Sequence, residues 1–145
     1  MPKSALPRQA LAAGLYIVLS LAIAPLSFGL LQVRFSEALM YLVYEDARYS
    51  ISLALGCLFV NAFSPLGPLD ALCGTAATAL CCWLMLRLGD PRLALIVLPA
   101  VNGLIVGAEL AYLLALPLWL CTASVAAGEF IAALLGLGLY RNWRK

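Results

Sequence analysis

Histidine is absent from the 145 residues, and the only lysines, Lys3 and Lys145, lie at the two ends. Without histidine there is no His-bearing zinc site, no His-based catalytic triad and no His proton relay. Without an internal lysine there is no Gly-Lys-Ser/Thr loop to cradle nucleotide phosphates, so no ATP is bound that way and no cofactor is expected. Charge is scarce too. Nine Lys or Arg and seven Asp or Glu leave a net charge of +2, which provides no footprint for nucleic acid. Cys57, Cys73, Cys81, Cys82 and Cys121 lack Cys-x-x-Cys spacing and lie in apolar stretches, as small core residues do, so no metal clip is expected.

What fills the chain is apolar: 65% of residues, against roughly 45–50% in a soluble protein. Apolar runs near the ~20 residues that cross a bilayer recur along it. Six of them consume nearly everything and leave no room for a soluble catalytic domain. The expected architecture is an all-α integral membrane protein of six transmembrane helices in one domain over residues 1–145.

The first segment covers about 8–30. Its apolar run is too long for a signal peptide, so it reads as a retained helix that Pro25 kinks or ends, leaving Leu26 to Gln32 irregular. The second, 33–45, is short and starts with Arg34 and Glu37. The third, 49–63, stops at Ser64-Pro65-Leu66-Gly67-Pro68, a dense turn signal. The fourth, 70–88, ends in Gly89-Asp90-Pro91-Arg92; the fifth, 93–116, carries Pro99, Asn102 and Glu109; the sixth, 117–140, opens on Pro117 and holds Glu129 at its middle. With both termini inside, the cytoplasmic connections collect Lys3, Arg8, Arg48, Arg87, Arg92, Arg141, Arg144 and Lys145, and the outer ones Arg34 alone. That asymmetry predicts cytoplasmic termini.

The same threading puts Arg34, Glu37, Asn61 and Asp70 at or near outer helix ends, Asn102 and Glu109 in the outer half of the fifth segment, and Glu129 deeper. An ionisable group at a helix centre costs roughly 2.5–3.5 kcal/mol on insertion scales, so each faces a partner or a wet cavity. Together they point to a pocket open to the outside. At α-helical spacing Arg34, Glu37, Tyr41 and Tyr44 share a stripe, and Asn102 shares a face with Glu109. The face of Glu129 is otherwise small (Ala126, Ala133, Gly136), inviting close approach of another helix. Plainer roles compete. Arg34 and Glu37 have the spacing of an interfacial ion pair, Asp70 that of an N-terminal helix cap, and Asn102 that of interhelical glue. Trp119 and Trp143 fit interfacial belts, with Trp119 alternatively stacking on a planar ligand. Ala10 and Gly14 form a small-x-x-x-small pair on the first helix that lets backbones pack closely.

Three stretches then carry a resemblance: Phe28-Gly29-Leu30-Leu31-Gln32-Val33-Arg34-Phe35-Ser36-Glu37-Ala38-Leu39, Gly67-Pro68-Leu69-Asp70, and Asn102-Gly103-Leu104-Ile105-Val106-Gly107-Ala108-Glu109-Leu110. Taken together, from about Ala10 to Arg141, the chain resembles the QueT family, the queuosine-precursor S components of energy-coupling factor (ECF) transporters. That resemblance implies an S-component-like six-helix bundle in a prokaryotic plasma membrane. It would capture a 7-deazaguanine (the nitrile or aminomethyl precursor, or queuine) and pass it to a transmembrane T subunit and two cytoplasmic ATPases, which use the ATP. It also implies docking through Ala10 and Gly14, where Gly replaces the family's second Ala. The substrate-binding set it suggests is Arg34, Glu37, Tyr41, Asn61, Asp70, Asn102, Glu109, Trp119 and Glu129. In that set Glu109 or Glu129 reads the guanine-like edge and Asp70 neutralises an aminomethyl group. Other readings stand beside it: an S component for another vitamin-like solute, a small ion-coupled transporter working through Glu109 and Glu129, and a membrane scaffold or intramembrane enzyme, for which no nucleophile and base stand at a motivated spacing.

Overall fold

The computed structural model describes residues 5–27 and 32–145. The former omits Lys3, and Phe28 to Leu31, at the expected end of the first segment and the start of the first resemblance stretch, also lie outside the described residues. Among the described residues every regular element is helical: α1 (Ala5–Ala22), the short α2 (Ala24–Ser27), a 3₁₀ helix (Phe35–Tyr44), α3 (Tyr49–Ala62), α4 (Pro68–Leu88), a 3₁₀ turn (Pro91–Leu93), α5 (Ala94–Leu114) and α6 (Leu118–Trp143).

The punctuation is local chemistry. The first helix breaks at Ile23, two residues ahead of Pro25, whose nitrogen has no hydrogen to continue the ladder. Gly67 adopts φ +83, ψ −163, a region essentially confined to glycine, and turns the chain into Pro68 at the start of α4. Gly89 closes α4 in the left-handed conformation with its N–H on the Met85 carbonyl. Asp90 then accepts a hydrogen bond from the Arg92 N–H and starts the next turn.

The packing is inverted relative to a water-soluble bundle. Leu6, Ile51, Phe63, Leu72, Ile96 and Leu104 point outward, whereas Arg34, Glu37, Asn61, Asp70, Glu109 and Glu129 are buried. Water would favour the opposite, so the outer surface is built for hydrocarbon. Among the described residues three helices are long and apolar enough to cross a membrane: Pro68–Leu88, Pro91–Leu114 and Leu118–Trp143. Leu6–Ala22 and Tyr49–Ala62 are apolar but shorter. A multi-pass membrane protein follows.

Two features position the polar residues. First, α5 and α6 form the most extensive pairing, and they meet through glycine. A Cβ on Gly107 would stand 2.7 Å from Thr122 Cα, and one on Gly103 would stand 3.1 Å from Ala126 Cβ. Second, the segment after Arg34 is 3₁₀ over ten residues, well beyond the usual 3–4. With 3.0 residues per turn, positions three apart eclipse, so Glu37, Met40 and Val43 form the buried row. The stripe of Glu37 with Tyr41 and Tyr44 expected from α-helical spacing is therefore split. Four residues of 3₁₀ helix turn Tyr41 about 120° away from Glu37. Its ring lies where a Gly136 Cβ would be 2.5 Å from Tyr41 Cδ2, and it contacts Tyr44 and Tyr140. The small face of α6 is thus filled by α5 at Ala126 and by Tyr41 at Gly136.

Candidate functional site

Ionisable groups from four elements converge on Arg34. Its guanidinium reaches Asp70 of α4 at 3.7 Å and donates through Nε to the Ser27 carbonyl at 3.2 Å. Glu37 of the 3₁₀ helix, Glu109 of α5 and Glu129 of α6 all lie within its electrostatic range. All five groups are buried. One fixed cation thus faces four carboxyl groups in an environment where water screens little, so their fields are felt strongly.

Helix α3 supplies Asn61, whose Nδ2 donates to the Asp70 carbonyl at 3.3 Å and lies against the Cys57 sulfur at 3.4 Å. The carboxamide occupies the space a side chain at Gly74 would need, and a Cβ on Gly74 would also stand 3.6 Å from Arg34 Nη1. Gly74 is therefore what admits Asn61 and Arg34 to the same corner of α4. Asp70 lies in the first turn of α4, but its side chain forms no capping hydrogen bond to the helix among the described residues. It is turned to Arg34 instead.

Helix α1 closes the cluster with residues that the sequence reading passed over. The Tyr16 hydroxyl donates to Glu37 Oε1, and one turn on Ser20 Oγ donates to Ser36 Oγ at 2.7 Å. Ser27 Oγ donates in turn to the Ser20 carbonyl at 2.9 Å. The signal was present as Tyr16, Ser20 and Ser27, a polar row at helical spacing in an otherwise apolar stretch. Gln32 is also buried and takes a left-handed φ of +42, unusual outside glycine.

The cluster contains more acceptors than donors. Both oxygens of Asp70, both of Glu109, Glu37 Oε2, Glu129 Oε2 and Asn61 Oδ1 are buried without a hydrogen-bond partner among the described residues. Buried acceptors are normally satisfied, and each one left alone costs on the order of 1–3 kcal/mol.

The other expected site residues lie apart. Asn102 is buried two turns before Glu109, but its Nδ2 donates back to the Leu98 carbonyl at 3.2 Å and faces Cys81 at 3.8 Å, toward α4. Tyr41 belongs to the tyrosine group described above. Trp119 is 73% exposed at the start of α6 and points away from the bundle, as a belt residue does. Ala10 is exposed and a Cβ on Gly14 would meet nothing within 4 Å, so this small face of α1 is uncovered among the described residues; α1 packs on α3 through Ala13 and Tyr16, against Gly56.

A family model described as QueT transporter matches residues 6–145. Comparison with curated proteins and with solved structures yields no match.

Proposed function

The chain belongs to the QueT transporter family, and from that membership we propose that it is the substrate-binding S component of an ECF-type importer in a prokaryotic plasma membrane. Six membrane segments with both termini cytoplasmic complete this reading. Its ligand is a queuosine precursor of the 7-deazaguanine class, taken from outside. The observation that carries the ligand assignment is the surplus of buried acceptors around Arg34.

A 7-deazaguanine offers complementary groups: a ring N–H and an exocyclic amine side by side, which one carboxylate accepts as a bidentate pair, and a further pyrrole N–H. Glu109 and Glu129 are the carboxylates for that edge. Asp70, beside Arg34, is placed for a second donor. Four carboxyl groups against one guanidinium favour a ligand that brings positive charge, so the aminomethyl precursor fits the cluster better than the neutral nitrile. Arg34 and Glu37, the latter held by Tyr16, line the site from the 3₁₀ side.

Energy comes from partners. The chain binds no nucleotide; a T subunit docks on the uncovered Ala10 and Gly14 face of α1, and two ATPases hydrolyse ATP while the S component reorients to release its ligand inside. Calorimetric or thermal-shift titration of the purified, detergent-solubilised chain against 7-deazaguanine precursors, queuine, guanine, riboflavin, thiamine and biotin tests the reading. Selective binding of a 7-deazaguanine that weakens sharply in Glu109→Gln or Glu129→Gln is the expected result. Binding of another vitamin overturns the substrate, and no binding by folded protein overturns the S-component role. Uptake that follows pH without ATPase partners would instead select ion coupling through Glu109 and Glu129.

A further inference from the structure

The outer face of the α3–α4 pair carries an apolar groove of about 470 Å³ that is separate from the polar cluster. Ile51, Leu55 and Leu58 form one wall; Ala79, Trp83 and Leu86 form the other. Along α4 it runs from Thr75 to Leu86, which is about 16 Å of helix. That is close to one leaflet of a hydrocarbon core ~30 Å thick.

Its two ends differ. At the Leu58 end neither wall carries a charge. At the Ala47 and Leu86 end stand Arg48 and Arg87. Arg48 is committed to Asp46, with Nη2 on Oδ2 at 2.5 Å. Arg87 makes no ion pair among the described residues. Its guanidinium lies 5.5 Å from the centroid of the Trp83 ring, which is half exposed at the rim. Tryptophan and arginine together mark the headgroup level of a membrane.

We propose that this groove is a binding site for an anionic phospholipid, with one acyl chain lying along α3 and α4 and the phosphate paired with Arg87. The charge pattern selects this occupant. A second copy, related by an axis along the membrane normal, would bring both Arg87 side chains to the same level and set like charges together. A zwitterionic lipid carries its own ammonium beside the phosphate and gains less from the guanidinium. An anionic headgroup matches both the unpaired cation and the one-leaflet length.

Native mass spectrometry of the full chain in detergent tests this with phosphatidylglycerol, phosphatidylcholine of the same acyl chains, and glycerol phosphate. One retained phosphatidylglycerol adduct is expected, at roughly fivefold the phosphatidylcholine occupancy, as suits one basic residue at a membrane surface. Glycerol phosphate alone should not be retained. Arg87→Gln should reduce phosphatidylglycerol to the phosphatidylcholine level, and Ala79→Phe, which puts a ring into the groove, should remove both. Equal occupancy of the two lipids on the unaltered chain, a preference that survives Arg87→Gln, or a dimer that lipid does not displace would each overturn the proposal. If Ala79→Phe fails to fold, the Arg87→Gln comparison decides. Precursor binding measured on the same samples reports on the polar cluster, so its failure is distinguishable from failure of the groove.

Discussion

Gly107→Ala drives a side chain against the backbone of the facing helix. A Cβ there would lie 2.7 Å from Thr122 Cα, 2.9 Å from its backbone nitrogen and 3.0 Å from Oγ1, whereas ordinary contact begins at 3.4 Å. The obstacle is backbone, so no rotamer change relieves it, and α5 and α6 must part locally by about 0.7 Å. Overpacking of this kind costs ~1–3 kcal/mol, and alanine in place of glycine returns up to ~1 kcal/mol within a helix. Taking the upper end because the neighbour is rigid, the net loss is about 2 kcal/mol. Glu109 follows Gly107 by two residues and Glu129 is on the opposing helix, so the same displacement pulls two carboxylates of the cluster apart. Thermal unfolding in detergent and calorimetric titration with a 7-deazaguanine should both show the loss. The control is Gly138→Ala, where a Cβ meets nothing within 4 Å and stability should hold or rise. If Gly107→Ala matches Gly138→Ala in both assays, the close approach of α5 and α6 is refuted.

Four further outcomes follow from the geometry. Gly74→Ala displaces a side chain, Asn61, so stability should fall by less than in Gly107→Ala while precursor affinity drops, as read by unfolding and titration together. Tyr16→Phe removes the donor from buried Glu37 and should cost on the order of 1–3 kcal/mol in unfolding measurements. Trp119→Ala should leave precursor affinity unchanged by calorimetry, because the ring points outward. In the α3-side connection, hydrogen bonds from the Arg48 side chain, and then from its backbone N–H, hold Asp46 below the ordinary carboxylate range. A lowered folded value means that this pair favours folding above the unfolded value of ~3.9 and loses its effect as pH falls toward the folded one. Arg48→Gln should therefore raise the Asp46 titration midpoint seen by NMR, and any stability difference from the unaltered chain should vanish in strong acid.

The helical, membrane-embedded character was legible because composition alone forces it, and so was the expectation that Arg34, Glu37, Asp70, Glu109 and Glu129 turn away from lipid. An ionisable group among apolar neighbours must find others, and one chain offers few candidates. Their convergence on Arg34 was not legible, since it depends on how α4, α5 and α6 are placed side by side. Tyr41 was misplaced for a definite reason: an α-helical period assigned it to the face of Glu37, whereas the 3₁₀ period carries it to α6. Tyr16 was missed although it heads a polar row with Ser20 and Ser27, because hydroxyl groups are common in apolar helices and the row gains meaning only with Glu37 and Ser36 beside it. Trp119 had two readings, and only the direction in which α6 begins separates them.

That the cluster draws on every long helix bears on how a ligand would act. Tyr16 comes from α1, Glu37 from the 3₁₀ helix, Asn61 from α3, Asp70 from α4, Glu109 from α5 and Glu129 from α6. Its members come from six separate helices, so its geometry is a property of the whole bundle, and a ligand that satisfies the orphaned acceptors binds the helices to one another. Such a ligand stabilises the folded chain by about 2.7 kcal/mol at a hundredfold excess over its Kd. The gain follows each variant's own Kd, so it shrinks wherever affinity falls. Gly107→Ala keeps every cluster residue and should therefore gain more stability from a fixed precursor concentration than Glu129→Gln, which keeps the packing but removes a carboxylate. If both variants respond alike to precursor, the ligand does not bridge α5 and α6, and binding must be located elsewhere in the bundle.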